Sequence, residues 1–239
     1  MVVKSQLKFI NSLQQKKYRT QHGLFVAEGV KLVSELLSSD FGVYGVYTTS
    51  PETLPSHEKI IQVSKVDLAK MSGLKTPNTV LGVFYIPEDS STIPHNWSVA
   101  LDDVRDPGNL GTIIRLCDWF NISQVVCSPN TVDCYNPKVL QASMGSIARV
   151  KIVYIDLEKF IADSKLSVYG AFMGGKPVYR EKFPEKGILL MGNEGKGISQ
   201  NLEALVHQKI SIPQFGKKTT ESLNVATATA ILLNEIRRD

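Results

Sequence analysis

Three segments constrain this chain most, because each puts glycine, proline or a small polar residue where a strand must give way to a loop or helix. They are Asp103-Val-Arg-Asp-Pro-Gly-Asn-Leu-Gly-Thr-Ile-Ile-Arg115, Leu190-Met-Gly-Asn-Glu-Gly-Lys-Gly197, and Ile210-Ser-Ile-Pro213 followed by Ser222-Leu-Asn-Val225. Binding sites in open α/β sheets form at such strand ends. Around them, strand-like and helix-like runs alternate. This βαβ rhythm implies a mostly parallel sheet covered on both faces.

The 239 residues divide into two blocks joined by a linker. Residues 1–87 read as a small α/β domain, residues 88–96 as a polar linker without periodicity, and residues 97–239 as a larger α/β domain. In the first block helices are predicted at 5–15, 29–37 and 66–71, and strands at 24–27, 43–47, 59–63 and 80–86. In the second, strands are predicted at 99–104, 124–127, 150–154, 168–172, 188–191 and 209–212. Helices are predicted at 110–120, 137–144, 198–206 and from about Glu221 to Ile236.

Composition narrows the class. No apolar stretch has the length of a membrane helix. Three cysteines without a CxxC and four scattered histidines give neither a zinc site nor a disulfide framework. Reduced cysteines and a cytoplasmic location are expected. The net charge of +4 permits an RNA partner without demanding one. Its clustering is more telling: Lys4, Lys8, Lys16, Lys17, Arg19 and Lys31 face only Glu28 among the first 31 residues. Lys217 with Lys218, and Arg237 with Arg238, form two smaller clusters. A solvated face is the plainer reading of any one such run.

The segments carry polar groups suited to a site. Pro107 and Gly108 predict a turn, with Asn109 as N-cap of the following helix. Arg115 lies away from the apolar stripe of Leu110, Ile113, Ile114 and Cys117. It reads either as a solvated arginine or as one presented to a phosphate or ribose. Thr112 and Trp119 share its side, and an outward tryptophan suggests a contact with another subunit. Gly192-Asn-Glu-Gly-Lys-Gly197 is neither GxGxxG nor a P-loop. Its glycines require tight turns or close approach to a ligand, and Glu194 among them suits a hydroxyl or an amide. Ser222 and Asn224 open the last helix, where capping is one role and ligand contact another.

Taken together, these motifs resemble the SpoU/TrmH family of RNA 2′-O-ribose methyltransferases. Tyr135-Asn-Pro-Lys-Val139 and Ala142-Ser-Met-Gly145 match it as well. The first block, with Lys16-Lys-Tyr-Arg19 and Phe25-Val-Ala-Glu-Gly29, is similar to the family's L30e-like RNA-binding domain. The resemblance implies a methyltransferase domain with a C-terminal trefoil knot, a homodimer, and S-adenosylmethionine as methyl donor with no metal. It implies Asn109, Arg115, Glu194, Ser222 and Asn224 as the catalytic set, with Arg115 reaching across the dimer. It implies Gly192, Ile212 and Leu223 around the cofactor, chiefly through backbone groups, with Leu190 and Met191 beside the adenosine. Lys16, Lys17, Arg19 and Lys31 are the expected RNA contacts. Ribosomal RNA is the preferred substrate. Transfer RNA, a base-methylating relative and a non-catalytic RNA binder are the alternatives.

Overall fold

A computed structural model describes residues 2–88, 96–216 and 221–238. Most of the linker, and the Lys217–Lys218 cluster, lie outside the described residues. Two compact units emerge: Met1–Ser90 with Asp133–Ala148, and Ser91–Val132 with Arg149–Asp239.

In the first unit α1 (Lys4–Ser12), α2 (Lys16–His22), β1 (Leu24–Glu28), α3 (Val30–Leu37), β2 (Val43–Thr48), β3 (Ile60–Gln62), α4 (Lys65–Met71) and β4 (Val80–Tyr85) follow one another. The sheet order is β1-β4-β2-β3, antiparallel on both sides of β4 and parallel between β2 and β3. Leu13, Leu24, Val26, Met71, Leu81 and Val83 are buried together at its core. The helix α2 has no counterpart in the sequence reading, because Lys-Lys-Tyr-Arg-Thr-Gln-His offers no apolar stripe. It ends at Gly23, whose φ of 61° turns the chain into β1.

The second unit opens with β5 (Trp97–Leu101), α5 (Pro107–Trp119) and β6 (Gln124–Cys127). The chain then supplies α6 (Pro137–Ser143) to the first unit and resumes the second with β7 (Lys151–Tyr154), α7 (Leu157–Ser164), β8 (Val168–Pro177), β9 (Gly187–Met191), α8 (Gln200–Glu203), β10 (Gln208–Ser211) and α9 (Val225–Ile236). The six strands run in the order β10-β8-β9-β5-β6-β7, parallel at every pairing. Strands β5, β6 and β9 are buried along their whole length, as parallel strands covered on both faces must be. From β5 the chain moves to one side of the sheet and from β9 to the other. A topological switch point therefore lies between these neighbours, at their carboxyl ends.

Several boundaries differ from the sequence reading for local reasons. Strand β5 ends at Leu101 because Asp103 takes a left-handed φ of 56°. The helix predicted over 198–206 is short: Ile198 and Leu202 are buried in the core, and α8 covers only Gln200–Glu203. The last helix begins at Val225 rather than Glu221, capped by Asn224. Strand β8 runs on to Pro177, with a register jump opposite Lys209 and Ile210. Gly175 permits that jump, since a Cβ there would lie 2.6 Å from the Ile210 carbonyl carbon.

Residues 133–148 were predicted in the second block but cluster with the first unit. Asp133 pairs there with Arg19, Tyr135 stacks near Phe25 with ring centroids 4.6 Å apart, and Gln141 Nε2 donates to the Glu28 carbonyl at 2.7 Å. Arg19 is therefore a correction to the expected RNA contacts. It is 3% exposed, its Nε donates to Asp133, and Nη1 donates to the Leu13 and Gln14 carbonyls. A buried charge held this fully is an anchor. Replacing Asp133 by Ala leaves that charge unpaired, so the first unit should lose about 3–5 kcal/mol, read as a lower melting temperature or denaturant midpoint. An unchanged midpoint would sink the anchoring role.

Candidate active site

The carboxyl ends of β5 and β9 carry the first two motif segments, and hydrogen bonds tie them together. After β9, Asn193 and Gly197 bond to each other through both backbone pairs, at 3.0 and 2.9 Å. This closes a tight loop with Glu194 at its tip. Gly192 cannot be replaced here, because a Cβ would lie 2.2 Å from the Gly197 carbonyl carbon. The Asn193 side chain holds the loop from both sides. Its Oδ1 accepts from the Gly195 and Lys196 N–H groups, and its Nδ2 donates to the Asp103 carbonyl at 2.7 Å.

Glu194 reaches from this loop to the start of α5. Its Oε1 accepts from the Asp106 N–H at 3.1 Å and from Asn109 Nδ2 at 3.0 Å, and its Oε2 accepts from the Arg105 N–H at 3.3 Å. Asn109 passes the connection onward, its Oδ1 accepting from Asn224 Nδ2 at 2.8 Å. Asn224 Oδ1 in turn accepts from the Ala226 and Thr227 N–H groups and caps α9. One chain of side chains thus joins the loop after β9, the first turn of α5 and the first turn of α9. Asn109 does not cap α5 as predicted. Asp106 does, its Oδ1 accepting from the Asn109 N–H at 2.8 Å, with Pro107 in the first turn. The cap thereby frees the Asn109 amide for Glu194 and Asn224.

Burial pushes the Glu194 carboxyl upward, but hydrogen bonds from Asn109, its own N–H and the Asp106 and Arg105 N–H groups outweigh it, and the pKa falls below the ordinary glutamate value. A carboxylate with a lowered pKa and occupied lone pairs is a weak general base. Its work is to position Asn109. Because the folded-state pKa is depressed, its stabilising contribution is present above the ordinary glutamate value. That contribution is lost as pH falls through the depressed one.

The remaining residues stand apart from this network. Ser222 and Leu223 are exposed ahead of Asn224, while Gly192 and Ile212 are half-buried. Leu190 and Met191 are buried at the end of β9, and the Met191 carbonyl accepts from the Asp102 N–H. Arg115 is exposed on α5 and makes no hydrogen bond or ion pair among the described residues. Six residues after Asn109, it lies about 9 Å along the helix and about 120° around it. Trp119, one turn further on, is 82% exposed. In the first unit Lys16, Lys17 and Lys31 are exposed. Arg237 donates to the Phe120 and Asn121 carbonyls, and Arg238 pairs with Glu235. Arg237 thus holds the end of α5, and Arg238 is engaged by Glu235 and the Tyr179 carbonyl. Among the described residues no group of three or more His, Cys, Asp or Glu is placed to hold a metal, and no helix is long and apolar enough to cross a membrane.

The SpoU rRNA Methylase family model matches residues 96–234, and the MRM3-like substrate binding domain model matches residues 4–82. The chain belongs to the SpoU rRNA methylase family. The 23S rRNA (guanosine(2553)-2′-O)-methyltransferase RlmP of Bacillus subtilis is 33% identical over 233 residues, spanning 94% of this chain and 93% of that protein. A structure from Porphyromonas gingivalis, assigned to the TrmH family of RNA methyltransferases, superposes with a TM-score of 0.91 at 35% identity, covering 99% and 98% of the two chains. An AdoMet-bound rRNA methyltransferase from Sinorhizobium meliloti superposes with a TM-score of 0.87 at 29% identity, covering 99% and 96%.

The anchoring role of Glu194 has a direct test. Glu194→Gln places an amide NH2 among N–H donors and should lower the turnover of methyl transfer about 10²-fold through misplacement of Asn109. The shape of the pH–rate profile near neutrality should not change. A titration step lost from that profile would make Glu194 the base instead.

Proposed function

We propose that this protein transfers a methyl group from S-adenosylmethionine to the 2′-hydroxyl of a nucleotide in ribosomal RNA. The observation that carries the reading is the Glu194–Asn109–Asn224 network at the β5/β9 switch point, in a chain of this family. The Bacillus and Sinorhizobium relatives named above support ribosomal RNA over transfer RNA and S-adenosylmethionine as donor.

The cofactor fits the strand ends after β9 and β10. Gly192 and Ile212 directly follow those strands and Leu223 precedes α9, and the tight closure at Gly192, with no room for a side chain, suits contacts through main chain. When bound, S-adenosylmethionine supplies a methyl already activated on sulfur. The chain must then hold the ribose oxygen in line and ease the loss of its proton. Arginine remains protonated in almost any protein setting. Arg115 therefore stabilises negative charge developing on the oxygen, or acts through the RNA phosphate.

The active form is a homodimer in which Arg115 completes the site of the partner subunit. Its place on α5, far around the helix from Asn109 and without a hydrogen-bond or ion-pair partner among the described residues, supports this, as does the exposed Trp119 beside it. Within the first unit, residues 1–87 form an L30e-like RNA-binding domain, with Lys16, Lys17 and Lys31 toward RNA. Its mixed sheet and the substrate-binding match support that reading. The second domain carries the trefoil knot. The position of β10 at the sheet edge, with Asn224 meeting Asn109 near the centre, supports that reading. A cytoplasmic location suits an enzyme acting on ribosomal RNA.

The test uses methyl-labelled S-adenosylmethionine with unmodified ribosomal or transfer RNA, digested to nucleosides and resolved by mass spectrometry. Label on a ribose 2′-oxygen of ribosomal RNA is expected. Label on a base, or on transfer RNA alone, would overturn the assignment. Arg115→Ala should lose about 10²–10⁴-fold in turnover while still binding the cofactor. Mixing inactive Arg115→Ala and Asn109→Ala dimers should restore part of the activity through mixed dimers. No recovery, with subunit exchange verified, would place Arg115 in its own subunit's site.

A further inference from the structure

Beside the network stands an arginine for which the reaction so far has no use. Arg105 lies on the loop between β5 and α5, with its side chain 65% exposed. Its position is nonetheless fixed at two points. The backbone N–H donates to Glu194 Oε2 at 3.3 Å, and the guanidinium Nε donates to Asp103 Oδ1 at 2.8 Å. The single contact to Asp103 engages Nε alone, and both terminal nitrogens remain free of partners among the described residues.

Asp103 has an unusual backbone for this task. Its φ of 56° lies in the left-handed region, which aspartate tolerates better than most residues but does not prefer. Two neighbours hold it there: its N–H donates to Ser128 Oγ at 2.9 Å, and its carbonyl accepts from Asn193 Nδ2 at 2.7 Å. An exposed ion pair contributes little to stability, so the pairing alone does not repay this backbone. Unfavourable backbone held by its surroundings concentrates at functional sites.

We propose that Arg105 binds an RNA phosphate next to the target nucleotide, and that Asp103 is a positioning residue that orients its guanidinium. This rests on the RNA methyltransferase reading. Preorganisation gives this contact its value. A free arginine must be ordered when it meets its ligand, whereas Asp103 has already set the plane of this one. The fork of terminal N–H groups then suits two phosphate oxygens, a geometry that lysine does not offer. Glu194 is anionic nearby and repels a phosphate from the network itself. That limits the phosphate to the outer edge of Arg105, at the rim of the site.

The test measures equilibrium binding of unmodified 23S ribosomal RNA transcript across a salt series, alongside S-adenosylmethionine binding and thermal melting. Arg105→Ala should weaken RNA binding about tenfold and lower the slope of log affinity against log salt by about 1. Cofactor affinity and melting should not change. Arg105→Lys should restore the slope but not the affinity, because one ammonium does not serve both Asp103 and a phosphate. Asp103→Asn tolerates the same backbone and should keep the slope while raising KM for RNA more than it lowers kcat. Unchanged affinity and slope in Arg105→Ala would leave only a surface ion pair and overturn the proposal. So would a fall in melting or in cofactor affinity without a change in slope. Wild-type protein that binds RNA but transfers no methyl would overturn the methyltransferase reading, while the slopes still decide the role of Arg105.

Discussion

The Glu194 carboxylate is the interaction on which the site depends. It accepts from two backbone N–H groups ahead of α5 and from the Asn109 amide, so it fixes a loop, a helix start and a side chain at once. Asn109 then fixes Asn224, and Asn224 fixes the first turn of α9. Segments more than a hundred residues apart in sequence thereby hold a common geometry. Charge-assisted hydrogen bonds are the stronger kind. A network of polar groups that are all satisfied specifies one arrangement rather than several.

The fold makes this economical. In a parallel sheet the strand ends gather on one side, and reversing the chain direction at β5 and β9 leaves a crevice between their loops. The buried strands provide the rigid floor, and the loops above them carry the polar chemistry. Cys117 shows the contrast. It is completely buried on α5, and burial pushes its thiol far above the usual range. It contributes to the core and not to chemistry. The exposed face of the same helix presents Thr112, Arg115 and Trp119. One helix therefore serves the core on one side and an open surface on the other.

Much of this was legible in the sequence where one residue sufficed. Glycine at 192, apolar runs placed at 99–104 and 188–191, and the βαβ rhythm each report a local requirement. The reading failed where a role depends on a distant partner. Asn109 looked like a helix cap because asparagine favours that place, yet Asp106 took it, since Pro107 fits the first helical turn. Arg19 looked like an RNA contact because it sits in a basic run, yet Asp133, more than a hundred residues away, draws it inside. Helix α2 went unread because its residues carry no stripe, and its placement is settled by tertiary packing.

By itself the sequence determined the class of fold and pointed to the strand ends that carry the candidate site. Hydrophobic periodicity and turn chemistry act over a few residues, so they survive in one dimension. The tertiary structure alone decided which polar groups meet. It brought Asn109, Glu194 and Asn224 together and left Arg115 apart on the open side of α5. It gave residues 133–148 to the first unit, and it tied Arg105 to Asp103 on the loop before α5. These are consequences of chain crossings between distant segments, and no local propensity encodes them.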